Sequence, residues 1–198
     1  MFKTILLLAL AAVVVAIVAI PKAAPASRVA VLQSLGQTAP RNGVQFFSEA
    51  DYSRIIDKVA STGGDLAFGT VTDTDAPLSR IEVSASRNAY QKQRRAAKLD
   101  VFRRQVIQRL SYTRLFDHPN LAAAINRANL FFGEGRSTRQ YLILIADGDS
   151  QPLPAVKNAH VLIVSVSGHE PQIPNARVFE SVAAAIDGID LNDEETEK

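Results

Sequence analysis

QYLILIADGDS, residues 140–150, is the stretch of this 198-residue chain that decides the predicted fold. Its apolar run at residues 141–146 has no polar alternation, which indicates a strand buried on both faces, as in a parallel sheet between layers of helices. Asp147, Gly148 and Asp149 follow at the carboxyl end of that strand. Open α/β sheets bind ligands at this end of their strands, so the acidic turn is the first candidate site.

Further strands are predicted on both sides of this stretch. Apolar runs at residues 28–33, 66–71 and 159–166 indicate buried strands. Alternation of apolar and polar residues at residues 80–85 indicates an edge strand that is half exposed to solvent. The connection between residues 148 and 160 is too short for a full helix, and Pro152 and Pro154 restrict it further.

Helices are predicted between these strands. Ser48 and Asp51 resemble a capping box at the start of a helix that ends at Gly63-Gly64. A second helix is predicted from Asn88, and its apolar face consists of Ala96, Leu99, Phe102, Val106 and Leu110. A third is predicted from Asp117-His118-Pro119, with Pro119 in its first turn and Leu130 on its apolar face. A fourth is predicted over residues 176–189. This order predicts a three-layer α/β/α domain with a mainly parallel sheet covered on both faces.

The composition limits the chemistry open to the chain. The whole chain has 47% hydrophobic and 21% charged residues, a globular composition. Residues 27–190 are predicted to form one domain of ordinary size. The absence of cysteine excludes disulfides, thiolate metal sites and a cysteine nucleophile, and three histidines argue against an imidazole zinc site. A net charge of +2 indicates no particular partner.

Residues 1–26 form an apolar leader, in which Lys3 precedes an unbroken apolar run at residues 5–20. The length of this run lies between that of a signal-peptide core and that of a membrane span. We expect a single-pass N-terminal anchor in the inner membrane with a periplasmic domain; the alternative is a cleaved signal and secretion to the periplasm. No nucleic-acid partner is expected there. The acidic tail, residues 191–198, is expected to be disordered.

The helix predicted after Asn88 is strongly basic, with one acidic residue, Asp100, among its charges. Its cations are Lys92, Arg94, Arg95, Lys98, Arg103, Arg104 and Arg109. We interpret them as a solvated helix face, and the alternative is a surface for an anionic partner such as membrane headgroups or nucleic acid.

Taken in order, four segments resemble the von Willebrand factor A domain: VAVLQSLGQT (29–38), LAFGTVTDTD (66–75), NLAAAINRANLFF (120–132) and LILIADGD (142–149). The resemblance spans residues 28–189 and is greatest to bacterial membrane-anchored members. It implies a mostly parallel sheet with one antiparallel edge strand. Many members hold a divalent cation at a metal-ion-dependent adhesion site, built from an Asp-x-Ser-x-Ser loop, a threonine before a later helix and an aspartate after the central strand.

Only Asp147 matches this adhesion pattern, at the aspartate after the central strand. Gln33 stands at the loop aspartate, Leu35 and Gln37 stand at the serines, and the threonine position falls near Pro119 or Asn120. The resemblance therefore implies a degenerate site with no cofactor. Weak Mg²⁺ or Mn²⁺ binding through Asp147 is the alternative, with Ser34, Thr38 and Asn120 as neutral oxygen donors. The predicted partner-binding rim consists of Gln33, Ser34, Gln37, Thr38, Asp73, Asn120, Asp147 and Asp149.

A metal-dependent phosphoryl-transfer or nuclease-like enzyme is the competing hypothesis. The pairs Asp147/Asp149 and Asp73/Asp75 could converge at one edge of the sheet and hold magnesium. Aspartate next to glycine also marks ordinary strand-to-loop turns, which is the simpler interpretation. His169 near Ser165 or Ser167 lacks the G-x-S-x-G elbow of a hydrolase, so we interpret it as a loop residue. We therefore expect a non-enzymatic protein-interaction module.

Overall fold

The computed structural model describes residues 27–34, 47–73, 76–83, 89–111, 119–133, 139–147, 153–165 and 168–191. Within these ranges the strands are β1 (Ser27–Ser34), β2 (Gly64–Val71), β3 (Ser79–Val83), β4 (Arg139–Ile145), β5 (His160–Val164) and β6 (Arg177–Phe179). The helices are α1 (Glu49–Thr62), α2 (Ala89–Ser111), α3 (Leu121–Gly133) and α4 (Val182–Asp187). The predicted leader, residues 1–26, and residues 192–198 of the acidic tail lie outside the described residues.

The six strands form one sheet in the order β3-β2-β1-β4-β5-β6. Every neighbouring pair is parallel except β2 and β3, which are antiparallel. The predicted mainly parallel sheet with an antiparallel edge strand is therefore confirmed. β1 and β4 lie side by side at its centre, and the strand order reverses between them, which is where open α/β sheets form a crevice at the carboxyl ends of their strands.

β4 is buried on both faces, as its unbroken apolar sequence predicts. Tyr141, Ile143 and Ile145 belong to one core, together with residues of α1, α2 and α4. Leu142, Leu144 and Ala146 belong to a second core, together with α3 and parts of residues 153–176. The sheet therefore lies between two layers, and the predicted three-layer α/β/α architecture is confirmed.

Local sequence signals fix α1 at both ends. The Ser48 side chain accepts from the Asp51 N–H at 3.2 Å, and the Asp51 carboxylate accepts from the Ser48 N–H at 2.9 Å, so the predicted capping box is present. Gly63 ends the helix with a φ of 75°, a conformation that glycine adopts without a Cβ penalty.

A cluster of aromatic rings joins α1, β2 and α2. Phe68 of β2 lies 5.5 to 6.0 Å from the rings of Phe47, Tyr52 and Phe102. Burial raises the pKa of Tyr52 to about 12, and Arg103 opposes this rise. The neutral hydroxyl donates to the Leu99 carbonyl oxygen at 3.4 Å, which fixes α2 against the beginning of α1.

The helix predicted over residues 176–189 is wrong in its first part. Residues Arg177–Phe179 form β6, which pairs in parallel with β5, and the short helix α4 follows after the cap Ser181. β6 is a three-residue edge strand in which Val178 is 47% exposed. So short a segment shows no alternation of apolar and polar residues that would distinguish it from the start of a helix. Its backbone pairing with β5 determines its conformation. Leu191, grouped with the tail by composition, is buried in the core.

α3 also begins later than predicted. The Asn120 side-chain oxygen accepts from the Ala123 N–H at 2.9 Å, so Asn120 caps the helix and Pro119 precedes it instead of lying in its first turn. Leu130 was predicted on the apolar face but is 67% exposed, because Phe131 and Phe132 occupy the buried positions at this end of α3. In the described parts of the chain, every helix is too short or too polar to cross a membrane.

Candidate functional site

The carboxyl ends of the parallel strands meet at one edge of the sheet, which we call the upper rim. Gln33 pairs in register with Thr70 and Ile145, and Ile145 pairs with Val164, so the strands end at nearly the same level. The described residues of the upper rim are Gln33, Ser34, Thr72, Asp73, Asn120, Asp147 and Ser165. Gln37, Thr38, Asp75 and Asp149, also predicted at this edge, lie outside the described residues.

Gln33 is fully buried, and its side chain organises the entry to α1. Its Oε1 accepts a hydrogen bond from the Phe47 N–H at 2.9 Å. Phe47 directly precedes the capping residue Ser48, so this bond fixes the start of α1 against the end of β1. Ser34, the next residue, is 7% exposed. The glutamine that stands at the aspartate position of the adhesion pattern therefore holds backbone within the fold.

Asn120 connects two elements at the upper rim. Its N–H donates to the Thr72 carbonyl oxygen at 2.8 Å, which joins the end of β2 to the start of α3. Its side-chain oxygen is the cap of α3, as described above. Asp73, one residue beyond Thr72, is exposed. Asn120 is also exposed, and Thr72 is half-buried.

Asp147 lies half-buried after β4 and faces the turn that follows β5. The Ser165 hydroxyl lies 3.5 Å from Asp147 Oδ1 and 3.3 Å from the His169 carbonyl oxygen, and it accepts from the Gly168 N–H at 2.9 Å. Gly168 has a φ of 89°, which suits glycine. Ser165 therefore closes a tight turn beside Asp147. Sequence reasoning considered Ser165 only as a nucleophile, although a serine three residues before a glycine is also a turn signal.

The arrangement of the whole sheet can be compared with the fold that the sequence predicts. The mostly parallel sheet with its one antiparallel edge strand, β3, is what the sequence resemblance implied. The fold is von Willebrand factor A-like.

Comparison with known proteins gives little beyond this A-like fold. No protein-family model matches the chain. No curated protein matches it. Among solved structures, the chain is similar to a von Willebrand factor type A protein from Catenulispora acidiphila, with 12% identity and a TM-score of 0.43. The match covers 84% of this chain and 41% of the other, so this chain spans about two fifths of that protein's length.

The upper rim of the A-like domain has few side-chain oxygens among the described residues that could ligate a metal ion. Among the described residues, no group of three or more histidine, aspartate or glutamate side chains is placed to hold a metal ion. Asp147 supplies one carboxylate, and the side-chain oxygens of Gln33 and Asn120 already accept backbone hydrogen bonds. Magnesium and calcium sites in proteins use several oxygen ligands, with carboxylates among them. Each of those two oxygens already uses one of its two lone pairs in an internal hydrogen bond, so a cation would have to share it with a backbone N–H group.

Proposed function

We propose that this protein is a protein-interaction module that binds its partner through the upper rim without depending on a metal ion. The von Willebrand factor A-like fold supports interaction in general. The observation that carries the finer proposal is the hydrogen bond from the Phe47 N–H to Gln33 Oε1. It places a buried structural contact at the position where an adhesion site of this family carries a metal ligand.

The remaining rim contacts support the same proposal. Asn120 caps α3 and Ser165 closes a turn, so both side chains contribute to the shape of the rim. A binding surface needs a defined shape and some exposed polar groups, and here Asp73 supplies an exposed carboxylate. The sheet positions the described donors and acceptors of the rim.

The proposed cellular location of the module follows from the apolar leader. An apolar run at residues 5–20, placed before β1, anchors the module in the inner membrane with the domain in the periplasm. The partner is then a protein reachable from that surface.

Site-specific photo-crosslinking in cells tests the interaction. A photoreactive amino acid at Asp73, exposed on the upper rim, should give one discrete adduct with another protein. The same residue at Leu130, which is 67% exposed on α3, is the matched control and should not give that adduct. The same adduct pattern from both positions, or none from the rim, contradicts the proposal.

Thermal unfolding in the presence of divalent cations tests metal independence. Millimolar Mg²⁺ or Mn²⁺ should leave the Tm where a monovalent salt of equal ionic strength leaves it, because a cation that does not bind the folded state does not stabilise it. Asp147→Ala, with the exposed Asp57→Ala as control, identifies the site if a shift occurs. A rise of several degrees that is lost only in Asp147→Ala would favour a working adhesion site or a metal-dependent enzyme.

A further inference from the structure

Residues 90–98 of α2 form a basic segment that packs little against the rest of the domain. Over residues 90–98 every residue is exposed except Arg95, which is half-buried. Ala96, predicted on the apolar face, is among the exposed residues, and contacts with the core begin at Leu99. A helical segment without tertiary packing gains little stability from its surroundings. This surface is therefore open to a partner.

The charges of the basic segment differ from those of the rest of α2. Residues 89–98 include no acidic residue, and no carboxylate of the described residues lies within 4 Å of Lys92, Arg94 or Lys98. Farther along α2, Arg103 pairs with Glu49 and Asp100, and Arg104 also pairs with Asp100. The charges of Arg103 and Arg104 are thus paired within the described residues, whereas those of Lys92, Arg94 and Lys98 are exposed to solvent.

Contacts with α1 show which end of the domain carries the basic segment. α1 starts at the upper rim, and its early residues Glu49 and Tyr52 contact Arg103 and Leu99 respectively. The later residue of α1 meets the earlier residue of α2, so the two helices are antiparallel. The start of α2 therefore lies at the opposite edge of the sheet, which we call the lower edge.

The lower edge is also where the chain enters the domain. Val83, the last residue before the connection to α2, pairs with Gly64, and Gly64 pairs with Ser27, the first residue of β1. Residues 21–26 separate Ser27 from the apolar run and span about 20 Å at full extension. A bilayer that holds the leader would therefore face the edge that carries the basic segment.

We propose that the basic segment docks on the surface of an anionic lipid bilayer, with Lys92, Arg94 and Lys98 at the headgroups. The inference rests on the membrane anchor proposed above. Tyr90, which is 67% exposed with the Arg94 guanidinium 5.8 Å from its ring, has the amphipathic character found at membrane interfaces. Nucleic acid is the less suitable polyanion, because the segment has one aromatic residue and no alternating stacking surface.

The cysteine-free chain permits a direct test on the full-length protein. A dye on Gln93→Cys reports the distance of the basic segment from an acceptor in the headgroups of vesicles that carry the protein. We expect stronger energy transfer in vesicles with phosphatidylglycerol than in pure phosphatidylcholine, and a loss of this difference in high salt. A dye on Leu130→Cys, on α3, should not distinguish the two lipids.

Charge reversal identifies the residues responsible. The triple variant Lys92→Glu, Arg94→Glu, Lys98→Glu should abolish the lipid-dependent difference. The control Arg54→Glu, Lys157→Glu, Arg177→Glu changes the same charge on exposed residues elsewhere and should retain it. Circular dichroism checks that both variants fold, and a misfolded triple variant is replaced by three single reversals, each of which should weaken the difference.

Flotation of the vesicles separates this inference from the anchor. Chains that do not float with vesicles contradict the anchor and with it the docking surface. Chains that float, but whose Gln93→Cys dye responds equally in neutral and anionic vesicles, contradict the docking alone. An equal loss of the lipid-dependent difference in both triple variants also overturns the docking proposal. Tight binding of soluble RNA through the basic segment, with no response to anionic lipid, overturns it as well.

Discussion

Replacing either Ile143 or Leu144 with alanine should lower the free energy of unfolding by about 3–5 kcal/mol, the usual cost of truncating a fully buried aliphatic side chain. Both side chains are 0% exposed. Ile143 belongs to the core that contains α1, α2 and α4, and Leu144 belongs to the core that contains α3. Each truncation therefore leaves a cavity on a different face of the same strand.

Equilibrium unfolding in urea, followed by far-ultraviolet circular dichroism, measures both losses. Glu82→Ala on the edge strand β3 is the control, since Glu82 is exposed and a surface change of this kind shifts stability by about 0.5 kcal/mol or less. Two large losses at neighbouring positions distinguish β4 from a half-exposed strand, in which only alternate residues matter. A loss below about 1 kcal/mol at either position would contradict packing on that face.

The central part of the fold could be predicted because its signals are local. The apolar run of β4 identifies a strand that is buried on both faces, and the capping box at Ser48 and Asp51 fixes the start of α1 within four residues. β6 gave no such signal. It has three residues, two of them exposed, and it is a strand because β5 lies beside it. Pairing between segments that are distant in sequence could not be inferred from either segment alone.

The location of the candidate site could be predicted better than the roles of its residues. Parallel strands bring their carboxyl ends to one edge, so Gln33, Asp73 and Asp147 follow from the strand order. The resemblance to the von Willebrand factor A domain predicts that Gln33 stands at the position of the loop aspartate. It does not indicate that Gln33 Oε1 accepts from the Phe47 N–H, because that contact depends on the path of the chain between β1 and α1.

Arg28 illustrates the same difficulty in a side chain whose role the sequence did not reveal. The apolar pattern places it at the start of β1, where a cation would ordinarily be exposed. It is instead 6% exposed, and its Nη1 donates to the Phe131 carbonyl oxygen at 2.6 Å and to that of Phe132 at 3.3 Å. Arg28 Nη2 also lies 3.6 Å from Asp65. These partners are remote in sequence, so only the folded chain brings them together.

Replacing Arg28 with methionine should lower the free energy of unfolding by about 3 kcal/mol, because the Phe131 carbonyl oxygen loses a buried, charged hydrogen-bond donor. The lost hydrogen bonds lie at the last turn of α3, where carbonyl oxygens without an intrahelical donor favour a cation. The stem of methionine fills part of the space near the Phe131 ring, which lies 5.4 Å from the guanidinium carbon. Arg28→Lys should lose less, since it keeps the charge but not the two-pronged donor.

Arg54→Met is the matched control. It distinguishes the effect of burying the guanidinium from the effect of its distance to a carboxylate. Arg54 Nη2 lies 2.8 Å from both carboxylate oxygens of Asp187, which is closer than Arg28 lies to Asp65. The side chains of Arg54 and Asp187 are 47% and 63% exposed, however, so water solvates the remaining Asp187 carboxylate after the change and the expected loss is below about 1 kcal/mol. Urea unfolding of the two variants compares them directly. Equal losses would show that the stability of α3 does not depend on the buried guanidinium, whereas a larger loss at Arg28 attributes the effect to desolvated carbonyl oxygens at the end of that helix.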